Sequence, residues 1–305
     1  MPFVLRARAL SAIAPAMDAM TQTAPAPPLL PAHVMELVPN LSAGARRAIA
    51  LKDLRDGLAM SRLAFTLGWL DIKLRYRGSV LGPFWLTLST GIMVLSMGVL
   101  YSQLFHMELH DYMPYLALSL VLWNALSGIV SDACLCFTSA EGTIRSIRLP
   151  YTVYASRSVV RNVLVLAHNV IVIVCVFAWY DTWPGLAAFG SLVGLALWYA
   201  DAMAACLLLG ALCARFRDIP PIVGSIVQIA FFLTPIIWRP ELIGSGAKWL
   251  VLNPFYPLLA LVRDPLLNQV PQAEVWMAGF VWSGLLCGTA ALLFARVRAR
   301  LAFWV

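Results

Sequence analysis

Six long apolar stretches divide this chain, and they dictate the solvent it folds in. They cover residues 84–105, 115–137, 163–179, 186–212, 222–238 and 275–294. Each approaches or exceeds the about 20 residues that a helix needs to cross about 30 Å of hydrocarbon. Of the 305 residues, 61% are hydrophobic and only 12% charged, which a water-soluble core of this size would not require. The expected fold class is an all-α integral membrane protein with six transmembrane helices.

Orientation follows from the basic residues. Ahead of the first stretch stand Arg46, Arg47, Lys52, Arg55, Arg62, Lys73, Arg75 and Arg77. The second connection adds Arg145, Arg148, Arg157 and Arg161, the fourth Arg215 and Arg217, and the C-terminal tail Arg296, Arg298 and Arg300. The other three connections hold only Arg239, Lys248 and Arg263. The positive-inside rule therefore places both termini and the basic connections in the cytoplasm. The net charge of +7 is a topology signal, and nucleic acid is not an expected partner.

Three regions are expected: a disordered Ala/Pro-rich extension over 1–40, cytoplasmic amphipathic interfacial helices over 41–80, and a six-helix transmembrane domain over 81–305. Pro25, Pro27, Pro28 and Pro31 crowd the extension, which is too interrupted to span. Leu63, Leu67, Leu70 and Leu74 recur at helical spacing, as in a helix lying on the inner membrane face. A helix packed on a partner would show the same stripe.

Catalytic motifs are missing from the sequence. Residues 244–248, GSGAK, lack the spacing and the hydroxyl residue of a phosphate loop. No zinc-hydrolase or nucleophile-elbow motif occurs. His106 and His110 stand four apart beside Glu108 and Asp111, a spacing that binds metal on a helix, but in a short exterior connection no metal is expected. The six cysteines sit in or beside apolar stretches without paired spacing and read as small packing residues. Transport energy must come from an ion gradient or a partner ATPase. The gradient option rests on Asp132 and Asp201, carboxylates inside stretches two and four, where a charge is costly and functional by default. Neither has a basic residue at matching depth in an apolar stretch, and helix-to-helix hydrogen bonding is the plainer role.

Two connections stand out. Residues 249–262 are apolar but too short to span, and Pro254 and Pro257 break them, so re-entrant half-helices between spans five and six are expected. Residues 141–150 form a short charged helix ended by Pro150, fit either for solvent or for docking a cytoplasmic partner.

Five segments in order resemble the membrane subunit of bacterial ABC-2 type exporters of polysaccharides, O-antigen and capsule permeases in particular. They are DIKLRYRGSVLGPFW at 71–85, RSIRLP at 145–150, RFRDIP at 215–220, FFLTPIIW at 231–238 and NPFY at 253–256. The resemblance runs from about residue 50 to 305. It implies a homodimer in the bacterial inner membrane with two copies of a nucleotide-binding subunit, and ATP and Mg on that partner. No cofactor is implied in this chain. Glu141, Arg145 and Arg148 would form the ATPase-coupling helix. Arg75, Tyr76 and Arg77 would meet the pyrophosphate of a polyprenyl-linked glycan, or anchor the helix to anionic membrane lipids. A polymer longer than the bilayer is thick needs a continuous channel, and rings suit its walls. Candidates are Trp85, Tyr101, Phe231, Phe232 and Trp238, with Asn253, Pro254, Phe255 and Tyr256 at an exterior gate. A small-molecule or lipid exporter of the same fold and a gradient-driven transporter using Asp132 or Asp201 remain the alternatives.

Overall fold

The computed structural model describes residues 42–305 apart from 80, 81 and 83. The expected extension over 1–40 lies outside the described residues. Ten α-helices and three 3-10 segments, with no strand, make up what is described. They are α1 (Ala43–Ala59), α2 (Ser61–Arg75), α3 (Phe84–Leu104), α4 (Leu109–Leu135), α5 (Glu141–Ser146), α6 (Tyr151–Tyr180), α7 (Gly190–Arg215), α8 (Ile219–Leu233), α9 (Phe255–Leu266) and α10 (Ala273–Trp304).

Five helices are long and apolar enough to cross a membrane: α3, α4, α6, α7 and α10. The fifth apolar stretch behaves differently. Pro220 and Pro221 open α8 in its first turn, where their missing N–H groups cost nothing. Pro235 then drives Thr234 into extended backbone, at φ −93 and ψ 137, and ends the helix. With 15 residues, α8 is about 22 Å long, too short to span alone. Residues 234–238 continue it as a bent, non-helical segment.

Helix α4 is the axle of the fold. Its residues from Tyr112 to Leu126 are buried almost without a break, because α3, α6, α7, α8 and α9 all pack against it. A helix apolar all round belongs in such a position. On its flank, α10 lies along α7. The expected third span begins much earlier than its apolar run, since α6 starts at Tyr151. Arg157 and Arg161 therefore belong to a helix, where a cytoplasmic loop over 140–162 was expected; only 147–150 separate α5 from α6.

The amphipathic helix α2 also departs from expectation. Its leucine stripe is outward, with Leu63, Leu70 and Leu74 at 38, 42 and 57% exposure. The buried face is Ala64, Gly68 and Ile72, pressed on α6. A Cβ on Gly68 would lie 2.9 Å from Val160 Cγ1 and 3.0 Å from the Arg157 carbonyl oxygen. Glycine here permits a backbone-to-backbone approach, the usual way helices meet where water supplies no driving force. The leucines are left for lipid. The leucine stripe is therefore not the face that packs on α6; Ala64, Gly68 and Ile72 are.

Candidate functional site

At the end of the helices where the basic residues cluster, charged side chains form a connected frame. Asp71 on α2 accepts a two-pronged contact from Arg157, at 2.7 Å to Nε and 2.6 Å to Nη2. Arg161 bridges Asp71 at 3.2 Å and Asp132 at 2.9 Å, and Asn162 Nδ2 donates to Asp132 at 2.7 Å. Asp132 is consequently an ion-pair partner, which corrects the expectation that no cation lies within its reach. One helical turn of basic residues below the apolar run of α6 supplies it.

A second tie gathers three helices at Asp53. Its carboxylate, fully buried on α1, accepts from the backbone N–H of Tyr151 at 3.2 Å and of Thr152 at 3.0 Å, capping the start of α6. The same carboxylate pairs with Arg298 of α10 at 2.7 Å. Sequence inspection missed Asp53, because nothing in a charged, exposed helix marks one carboxylate as the cap of another helix a hundred residues on.

Glu141 and Arg145 lie on α5, a helix of six residues with none buried. Glu141 and Arg145 form an ion pair at 2.8 Å, and Arg145 also donates to the main-chain oxygen of Val305 at 2.8 and 3.2 Å. Arg145 thus ties α5 to the end of α10. Arg148 lies beyond the helix, exposed beside the equally exposed Ile147. Arg75 closes α2, Tyr76 is half-buried, and Arg77 is exposed in a turn that Gly78 makes with φ +86.

The expected channel rings do not form one line within the chain. Phe231 and Phe232 are 5.2 Å apart, and Phe231 meets Trp123 at 5.9 Å, which in turn meets Phe255 at 5.4 Å. Trp238 joins this group through its Nε1, which donates to the Phe232 carbonyl oxygen at 3.2 Å. Tyr101 instead stacks on Phe105 at 5.8 Å, and Trp85 stands apart and half-exposed near the start of α3. Trp123, in the middle of a uniformly apolar helix, was not singled out from sequence.

At the other end, the non-helical residues 234–238 carry carbonyl groups that would be costly in hydrocarbon. Protein groups satisfy them one by one. Tyr115 Oη donates to the Pro235 oxygen at 2.8 Å and the Trp238 oxygen at 3.0 Å, and Tyr112 Oη donates to Ile237. Arg263 donates to the Pro235 oxygen at 2.7 Å, approaches Tyr115 Oη at 3.0 Å and pairs with Asp264 at 2.9 Å. Its side chain is only 2% exposed, the largest fully buried side chain among the described residues. Asn253 holds the other side: Nδ2 donates to Thr234 Oγ1 at 2.9 Å, while Oδ1 accepts from the Phe255 N–H at 3.0 Å. Pro254 breaks the expected half-helices into a 3-10 segment, Pro240–Leu252, and α9. Pro257 does not break the chain; it sits in the first turn of α9, where proline is tolerated. Tyr256 is buried.

One sequence candidate, the His106–His110 pair, loses its premise here, while Asp201 makes the helix-to-helix link named as its plainer role. His106 adopts left-handed backbone, φ 53, before α4 begins, so it shares no helix face with His110. Asp201 is buried and accepts from Ser283 Oγ at 2.7 Å, a link between α7 and α10.

The sequence model for ABC-2 type transporter membrane domains matches residues 62–267. Three curated proteins are also similar, all described as the O-antigen export system permease protein RfbA. The one from Myxococcus xanthus is 24% identical over 246 residues, spanning 79% of this chain and 94% of its own. Two from Klebsiella pneumoniae are 20% and 19% identical, each spanning 79% of this chain and 98% of its own. With five helices long and apolar enough to span and a family match over residues 62–267, this chain belongs to the ABC-2 type transporter family, as one of its membrane-spanning permeases.

Proposed function

We propose that this chain is the membrane subunit of an ATP-driven exporter that moves lipid-linked polysaccharide from the cytoplasmic face of the bacterial inner membrane outward. The observation that carries this reading is the near end-to-end similarity to three O-antigen export permeases. The geometry agrees in three places. Helix α5 is exposed and charged, as a docking element for an ATPase needs to be. Arg75 and Arg77 are exposed at the end of α2, and guanidinium forks match pyrophosphate oxygens. The rings of Phe231, Phe232, Trp123 and Phe255 gather under the exterior gate segment.

The working unit in this reading is a homodimer with two copies of a nucleotide-binding subunit, which holds the ATP and Mg. Exposed apolar residues along α3 and α8, such as Ile92, Leu95, Ile226 and Ile229, offer surface for a second copy. Glu141, Arg145 and Arg148 act at the ATPase contact, with Arg145 also fixing α5 to α10. Phe231, Phe232 and Trp238 line the path, and residues 253–256 close its exterior end.

Depleting the protein in its native host and locating lipid-linked polysaccharide tests the reading. Polymer retained on the cytoplasmic face, with little at the surface, is the expected outcome. Unchanged surface polysaccharide would overturn it in favour of a small-molecule or lipid substrate.

A further inference from the structure

Behind the gate segment, an open cleft of 780 Å³ is cut into the exterior end of the chain. Its walls come from the start of α4, the end of α6, the Pro240–Leu252 segment, α9 and the connection from α9 to α10. Its volume falls in the about 300–1,000 Å³ range of small-ligand sites, but such sites are usually mostly apolar. This one is not. Five carboxylates, those of Asp111, Asp181, Glu241, Asp264 and Glu274, share it with Arg239, Lys248 and Arg263, and Gln269 and Gln272 stand among them.

The composition of the walls selects the ligand. Five carboxylates disfavour a polyanion, and among the described residues no group of three or more His, Cys, Asp or Glu is placed to hold a metal ion. A neutral ligand with many hydroxyls satisfies donors and acceptors together, since each hydroxyl serves in both roles. Arg239 gives a specific need. One guanidinium nitrogen donates to the Asp111 main-chain oxygen, and Cζ lies 5.2 Å from the Tyr115 ring centre. Only one of its five N–H groups has a named protein acceptor, and the residue lines the cleft, so donor capacity is left for a ligand oxygen. On the rim, Trp183 is 53% exposed, while Asn268 holds its backbone in place by donating to the Trp183 carbonyl oxygen at 3.1 Å. A fixed, half-exposed indole beside acceptor side chains offers the flat apolar face on which a sugar ring rests.

We propose that this exterior cleft is a carbohydrate-binding site for a short neutral oligosaccharide segment. Trp183 stacks on a ring, Arg239 donates to a sugar oxygen, and Glu241 and Gln272 accept from hydroxyls. The inference rests on the exporter reading and deepens it: polymer leaving the gate finds a place to be held on the outer face, which opposes backsliding between strokes of the partner ATPase.

The test uses the full chain in lipid nanodiscs, titrated with mannotriose and galactotriose and read by saturation-transfer NMR. At least one trisaccharide is expected to bind saturably in the millimolar range. Trp183→Ala is expected to weaken that binding about tenfold, as loss of a stacking face does, and Arg239→Gln to weaken it comparably. Both variants should keep the wild-type melting temperature within a few degrees, and because Trp183 is on the rim its variant remains informative if Arg239→Gln misfolds. Saturable binding by neither sugar, or a Trp183→Ala protein that titrates like wild type, overturns the proposal. Surface polysaccharide after depletion is a separate readout, so the exporter reading and the cleft can fail independently.

Discussion

Replacing Arg263 by methionine should be among the most damaging single changes available in this chain. The side chain is 2% exposed and joins α9 to α4 and to the non-helical segment that follows α8. Its loss removes the donor at 2.7 Å from the Pro235 carbonyl oxygen and the contact at 3.0 Å to Tyr115 Oη. Pro235 is not orphaned, because Tyr115 still donates to it at 2.8 Å. Asp264 fares worse: its side chain is 16% exposed, and it keeps its charge with no cation beside it. Breaking one side of a buried pair costs about 3–5 kcal/mol, and hydrogen bonds from a charged donor contribute about 1.5–3 kcal/mol each. We take about 4 kcal/mol as the net.

For a chain of this size, about 2–4 °C of melting temperature accompanies each kcal/mol, so Arg263→Met should fall by roughly 8–16 °C in nanodiscs. The double variant Arg263→Met with Asp264→Asn removes the stranded charge as well. It should recover about half of that loss, because methionine fills the site and the neutral amide costs less to bury. Export should fail in the single variant even at a permissive temperature, since residues 234–238 lose one of their holders. A single variant melting within 2 °C of wild type would refute the idea that Arg263 supports the helix break. A double variant no better than the single one would show that the stranded carboxylate is not the source of the cost.

Other contacts give shorter tests. Asp132→Asn and Arg161→Gln, combined in a double-mutant cycle, should show a coupling of about 1.5–3 kcal/mol in unfolding experiments; a coupling below about 0.5 kcal/mol would remove Arg161 as the bridge between α2 and α4. Asp53→Ala should cost about 3–5 kcal/mol, because it loses both the cap of α6 and the buried partner of Arg298. Asp53→Asn, which retains a capping oxygen, should cost clearly less, and hydrogen exchange at the Tyr151 and Thr152 amides would separate the two. Gly68→Leu should detach α2 from α6 at a cost of about 1–3 kcal/mol, seen as faster proteolysis at Lys73; unchanged protection would mean the close approach is dispensable. Phe231→Ala with Phe232→Ala should impair polysaccharide export while the protein still assembles, and normal export would end the case for these rings as channel lining.

Much of the fold was legible because hydrocarbon imposes so narrow a rule. A run of apolar residues long enough to span becomes a helix, and the position of 84–105 needed only small adjustment at its end. What the apolar runs could not show was where a helix continues past its apolar part. Helix α6 begins twelve residues before its run, and α10 extends ten residues beyond its own. In both cases the added turns carry arginines whose partners sit on other helices: Asp71 and Asp132 for Arg157 and Arg161, Asp53 for Arg298. A hydropathy profile sees such residues as polar and ends the span there. The backbone has no reason to stop, because Arg157, Arg161 and Arg298 find carboxylates on neighbouring helices.

The same blindness to partners explains the candidate site. Pro235 marked a break in the fifth stretch, but nothing local to 234–238 said that Tyr112 and Tyr115, 120 residues earlier, would supply the donors for its carbonyls. Arg263 looked like one of three stray cations on the poorly charged side of the membrane. In the fold it is the cation that could not be moved to the other side, because its guanidinium serves backbone that hydrocarbon would leave unsatisfied. The basic residues therefore divide by what they touch. Some, such as Arg75 and Arg77, are exposed. Those at helix ends with a carboxylate within 3 Å, Arg157, Arg161 and Arg298, bind α1, α2, α4, α6 and α10 into one frame. Arg145 adds the exposed helix α5 to these ties through its contact with the end of α10.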